Sequence, residues 1–137
     1  PGPGGVGGLR KVAGYVGRNY VVGITDLGGA SSSVTLSAGV RTRLFSATGR
    51  GALRSCGLFT DSNRNMRAEV VIDGVLAIDT GTVSVPATRF FAPVGYWPSG
   101  ASFYLWDWVP FDASVEVFFT ASTAMTNSFV CIADIHQ

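Results

Sequence analysis

From residue 33 onward, apolar and polar residues alternate in short runs broken by glycine, asparagine and aspartate. A period of two puts successive side chains on opposite faces of a strand. The pattern predicts strands at 34–36, 43–47, 52–59, 66–72, 75–79, 82–85, 102–108, 114–120 and 129–135. Turn signals separate them: Thr48-Gly-Arg-Gly51, Asp61-Ser-Asn-Arg-Asn65, Asp73-Gly74, Thr80-Gly81 and Pro98-Ser-Gly100. No segment longer than about ten residues carries a helical apolar period. Short strands at this spacing predict an all-β fold, an antiparallel β-sandwich. Residues 86–101 hold three prolines and read as a long connection crossing between the sheets.

The sharpest local signal is Asp73-Gly74 between two β-branched runs. A two-residue type I′ turn needs positive φ at both central positions, which Asp-Gly supplies. Alternation puts Val115, Val117 and Phe119 on one face and Glu116 and Phe118 on the other. It also groups Tyr104, Trp106 and Trp108, next to Tyr96 and Trp97 in the preceding connection. Aromatic anchors dominate binding energetics, so these five residues form the main candidate interaction surface. Ordinary core packing accounts for the same pattern.

Residues 1–33 differ from the remainder, 34–137. Seven of the first 17 residues are glycine, and Gly28-Gly-Ala-Ser-Ser-Ser33 follows. Such a stretch cannot offset its ordering entropy alone. Yet Tyr15, Tyr20 and several aliphatic residues are spread through it. It reads as an extended arm that orders on a neighbouring surface, with residues 20–25 adding a strand by edge pairing; a disordered tail is the alternative. The first eight residues lack the apolar segment of a secretory signal, and no run approaches the ~20 apolar residues of a membrane span.

Composition sharpens this picture. Hydrophobic residues make up 47% of the chain but charged residues only 14%, against roughly 25% in soluble domains. Mean hydropathy is +0.32. Much of the surface is therefore expected to lie against other subunits, although a Ser/Thr/Gly-coated sandwich has the same composition. The net charge of +1 provides no field to steer the chain to nucleic acid or membrane. Nine of the ten cations are arginine, a residue suited to planar, partly buried pairing. Cys56 and Cys131 lie in apolar runs and read as buried thiols; whether they pair is open.

Candidate chemistry is sparse. His136, the sole histidine, is penultimate, a poor place for a poised base. Asp73, Asp79, Asp107 and Asp112 are the carboxylates a glycosidase pair would draw on, but Asp73 and Asp112 sit in turns where aspartate serves the backbone. Asp61-Ser-Asn-Arg-Asn65 copies the opening of a calcium loop, yet Met66 stands where glycine is required and Ile72 where the bidentate acid belongs. Arg41, Arg43 and Arg54, with Gly49-Arg-Gly51, form a basic cluster. It suits phosphate, an acidic partner or carboxylates of the same fold. No cofactor, metal or catalytic residue is expected.

Three segments in order carry a resemblance: Ser46-Ala-Thr-Gly-Arg-Gly-Ala-Leu53, Val70-Val-Ile-Asp-Gly-Val75 and Val109-Pro-Phe-Asp-Ala-Ser-Val-Glu-Val117. Together they resemble small jelly-roll-like β-sandwich domains of tailed-bacteriophage virion proteins, over about residues 43–135. The resemblance implies a structural role in capsid decoration, a head or collar fibre, or a tail, often as a homotrimer. It implies a virion location after assembly in the bacterial host cytoplasm, with other virion proteins as partners. It transfers no catalytic residue. A glycan- or receptor-binding fibre module is the alternative, with Trp97, Trp106 and Trp108 stacking on sugar rings. Tyr15, Tyr20, Arg41 and Arg43 complete the candidate interaction residues.

Overall fold

Along Ser114–Ala121 burial alternates residue by residue. Val115, Val117, Phe119 and Ala121 are buried, while Glu116 and Phe118 on the other face remain partly exposed. The computed structural model describes residues 17–22, 33–95, 101–102 and 109–136, with backbone only at 17–22, 101–102 and 136. Its strands are β1 (Gly17–Val22), β2 (Ser33–Leu36), β3 (Thr42–Thr48), β4 (Gly51–Thr60), β5 (Arg64–Ile72), β6 (Val75–Asp79), β7 (Val83–Val85), β8 (Arg89–Val94), β9 (Ala101–Ser102), β10 (Val109–Phe111), β11 (Ser114–Ala121) and β12 (Met125–His136). No helix occurs among the described residues.

The strands form two sheets. In one, β12 pairs with β4, β4 with β8, and both β1 and β2 pair with β12. In the other the order is β3-β11-β5-β6, with β7 also on β5. Every described pairing is antiparallel except β8 with β9. The connectivity β2-β12-β4-β8 facing β3-β11-β5-β6 is that of a jelly roll, in which the chain passes back and forth between the sheets except at the β5–β6 hairpin.

The core lies between the sheets. Phe119 of β11 sits edge-on between Phe91 of β8 and Phe129 of β12, with ring centroids 6.1 and 5.8 Å apart. Edge-to-face geometry at these distances is favourable beyond area burial alone. Leu53, Leu58, Met66, Val70 and Val94 surround this stack, each buried.

Two sequence expectations need correction. Residues 86–101 are not simply a connection: Arg89–Val94 is a strand on β4. Its pairing slips between Cys56 and Leu58, so Pro93 falls in a bulge where a missing N–H costs no ladder bond. Val109–Phe111 is also a strand, with Pro110 opposite Ala52 at the end of β4. The predicted strand 102–108 lies outside the described residues beyond Ser102.

The Asp73-Gly74 turn is formed, with φ of 52° and 81°. Asp73 also fastens the neighbouring β10–β11 turn. Its carboxylate accepts the backbone N–H groups of Asp112, Ala113 and Ser114, and its own N–H donates to the Ser114 carbonyl. Gly17–Val22, within the segment expected as an arm, pairs with Cys131–His136 of the same chain.

Candidate functional site

Among the described residues, the outer face of the β3-β11-β5-β6 sheet carries a connected array of polar side chains. Its geometry follows from register. Phe118 of β11 stands opposite Arg43 on β3 and Glu69 on β5, and Glu69 stands opposite Asp79 on β6. These positions form one row across four strands. Alternation sends Phe118, Glu69 and Asp79 outward, because their neighbours Val117, Phe119, Ala68, Val70 and Ile78 point into the core. Arg43 joins them through a slip in the β3–β11 register that skips Leu44, since plain alternation would put Arg43 on the face of the buried Phe45.

Ion pairs knit the row. Arg43 Nη1 donates to Glu116 Oε2 at 2.9 Å. Arg41 Nε donates to Glu69 Oε1 at 3.0 Å, and the Arg41 guanidinium lies 3.7 Å from the centre of the Phe118 ring, a cation–π contact. Arg67 grips Asp79 with two bonds, Nε to Oδ1 at 2.9 Å and Nη2 to Oδ2 at 2.6 Å. This fork geometry is the strong form of an arginine–carboxylate pair. The Glu69 side chain, only 10% exposed, lies between Arg41 and Arg67. Three arginines thus face three carboxylates. The Arg67 bonds, with one from the Gly81 N–H, hold the Asp79 carboxyl down at about 2. Asp79 in turn raises the Arg67 guanidinium.

The other candidates fall in place around this face. Arg54 reaches Asp134 at 3.2 Å and Arg50 reaches Asp112 at 3.4 Å. The basic cluster therefore meets carboxylates of its own fold, one of the options left open by the sequence. The calcium-like loop is also engaged internally. Asp61 accepts from Arg64 and Asn127, which holds its carboxyl below the usual range. Arg64, whose side chain is only 6% exposed, also donates to Thr60, Thr123 and the Ala124 carbonyl. Asp73 is lowered by the three backbone donors of its turn. Asp107 lies outside the described residues.

Cys56 and Cys131 are free thiols and register partners on β4 and β12. Burial pushes Cys56 up to about 12 and raises Cys131 as well. Among the described residues no group of three or more His, Cys, Asp or Glu is placed to hold a metal ion. An open recess of about 140 Å³ lies between Gly39, Met66, Thr82 and Ser122, below the few hundred Å³ of ordinary ligand pockets.

Of the aromatic candidates, Tyr15, Tyr96, Trp97, Tyr104, Trp106 and Trp108 lie outside the described residues. Tyr20 stands opposite Ala133 in the backbone register of β1. Arg41 and Arg43 are placed, on the ionic row. Sequence reasoning overlooked Glu69 and Arg67. Their signal was present, since Arg67, Glu69 and Val71 are the outward positions of a strand whose inward positions are Met66, Ala68 and Val70.

No family model matches this chain, and neither does any curated protein. Among solved structures, the VP2 subviral particle of infectious bursal disease virus is similar over 88% of this chain and 33% of its own, at 15% identity and a TM-score of 0.41. The structure of the Gx strain of the same virus is similar over 88% of this chain and 32% of its own, at 17% identity and a TM-score of 0.39. The chain spans about a third of the length of these proteins. The jelly-roll assignment rests on strand order, independently of either likeness.

Proposed function

We propose that this chain is a structural component of a virion, working through non-covalent assembly with copies of itself and with other virion proteins. The observation that carries the reading is the self-cancelling charge. The chain has ten cations and nine anions. Of the seven arginines whose side chains are described, six (41, 43, 50, 54, 64 and 67) each bind a carboxylate of the same chain. A surface with few ions and almost no net field offers little resistance to association. Val40, Val75 and Leu76 stand exposed on it at 51, 66 and 48%. Burial of such area between subunits stabilises by roughly 25 cal/mol per Å² before ordering costs.

The finer reading is a tailed-phage protein of the decoration, head or collar fibre, or tail type, trimeric, assembled in the bacterial host cytoplasm and resident in the virion. It is supported by the three ordered motifs at 46–53, 70–75 and 109–117. It assigns no catalysis and no cofactor. Native mass spectrometry of the purified chain at micromolar concentration tests the proposal. A closed homo-oligomer is expected; a monomer at every concentration overturns it.

A second reading, a glycan-binding fibre module, is favoured by the concentration of Tyr96, Trp97, Tyr104, Trp106 and Trp108 within 13 residues. Jelly rolls serve lectins as well as capsids. Saturable quenching of tryptophan fluorescence by host-surface oligosaccharides would select it over pure assembly.

A further inference from the structure

β12 is a twelve-residue strand whose Cys131–Ile135 stretch is flanked on both sides, by β4 and by β1. β1 contributes six register positions there, from Gly17 opposite His136 to Val22 opposite Cys131. β2 then pairs farther along the same strand, with Ser33 opposite Ser128. Val22 and Ser33 are thus anchored three β12 positions apart, a distance on the order of 10 Å. A strand running straight on would need two residues to cover Phe129 and Val130. The chain has ten, residues 23–32, including Gly23, Gly28, Gly29, Ser31 and Ser32. Fully extended, the steps from Val22 to Ser33 reach roughly 36 Å.

A link of that length can span to a second copy as well as to its own sheet. We infer that in the assembled state β1 is exchanged between copies, so that Gly17–Val22 of one chain pairs with Cys131–His136 of a second. The same six-position register serves within a chain or between chains, so exchange sacrifices no ladder bond. Mass action then decides, and neighbours held in an assembly meet at high effective concentration. Without β1, an apolar strand bearing Ile132, Ala133 and Ile135 would present an open edge, a template for uncontrolled pairing. Covering it with a neighbour's strand turns that liability into the joint. This inference rests on the self-assembly reading and adds the joint's identity.

The register supplies the test. Val21 stands opposite Ile132. Val21→Cys and Ile132→Cys are made in separate chains, mixed under denaturing conditions, refolded together at assembly concentration and oxidised gently. The native thiols are buried and stay silent. Exchange sets the two new thiols on facing strands, so a heterodimer well in excess of the homodimers that each variant gives when oxidised alone is the expected result on non-reducing gels. In a second preparation, both substitutions are placed in one chain; linked dimers and higher species are expected there, dissolving on reduction. Native mass spectrometry runs alongside. An oligomer whose double variant closes only within its own chain, and whose mixture gives no such excess of heterodimer, overturns exchange and leaves the assembly reading standing. A chain that is monomeric throughout overturns both.

Discussion

At the scale of single residues, backbone proximity sets the strictest demands. Gly51 opens β4 where β10 and β12 both pair with it, and a Cβ placed there overlaps the Asp134 carbonyl oxygen. Gly95 has φ of 91°, and a Cβ there overlaps Ser55. Gly51→Ala is therefore expected to destabilise by about 3 kcal/mol, in the range of severe backbone and packing defects, read as a lower midpoint in urea. Gly39, with φ of 71° but open space around it, should cost less on the same substitution.

Ionisation is the other lever at this scale. Asp79 sits at about 2 in the fold, against roughly 3.9 for an unfolded aspartate. Asp61 and Asp73 are also lowered. Between those values the unfolded chain binds more protons than the folded one, so stability falls as pH drops from about 4 toward 2 and is fully present above. Thermal melts should show this acid limb. In Asp79→Asn the deficit relative to the parent should be largest at pH 7 and shrink toward zero near pH 2. A deficit that stays constant would mean that Asp79 acts through packing alone. The thiols make a separate prediction. With both raised by burial, neither forms a thiolate at pH 8. Ellman's reagent should find no reactive cysteine in the folded chain and two after denaturation.

At the scale of elements, the strands most legible in sequence were those with one buried face. β11 reads directly from Val115, Val117 and Phe119, and the β5–β6 hairpin from Asp73-Gly74. β8 was illegible because Pro93 argues against a strand, and only the bulge opposite Gly57 makes room for it. The ionic row was half legible. Alternation with Met66, Ala68 and Val70 marks Arg67 and Glu69 as outward, whereas Arg43 shares its parity with the buried Phe45 and faces out only through the bulge on β3; which strands adjoin is a tertiary fact that no local pattern contains. Asp73 shows the same limit. Its turn role was readable from the hairpin signal, while its grip on the β10–β11 turn was not, because 39 residues separate Asp73 from Asp112. The two faces of β11 yield a matched prediction. Phe119→Ala removes the ring between Phe91 and Phe129 and should cost about 3–5 kcal/mol. Phe118→Ala on the outer face loses one cation–π contact and partial burial, and should cost about 1 kcal/mol. Equal losses in chemical denaturation would contradict the assigned facing of the strand.

At the scale of the whole molecule, the question is what kind of force a chain with this surface brings to its neighbours. Charge steering requires unpaired charge, and on the outer sheet face Arg41, Arg43 and Arg67 are matched by Glu69, Glu116 and Asp79. What such a surface retains is apolar area, an exchangeable strand and hydrogen-bonding edges. Those forces respond to salt differently from ionic ones. Raising NaCl from 0.1 to 1 M shortens the screening length from about 10 to about 3 Å, which weakens exposed ionic interfaces steeply but leaves apolar ones nearly unchanged. The self-association constant should therefore shift by less than about threefold over that range. Ammonium sulfate should strengthen association, because it is excluded from apolar surface. Analytical ultracentrifugation across both series separates the cases. A tenfold or greater weakening in NaCl would mean that arginines leave their internal partners for carboxylates of another copy, and the ionic row would then be the interface itself rather than the reason the surface is neutral.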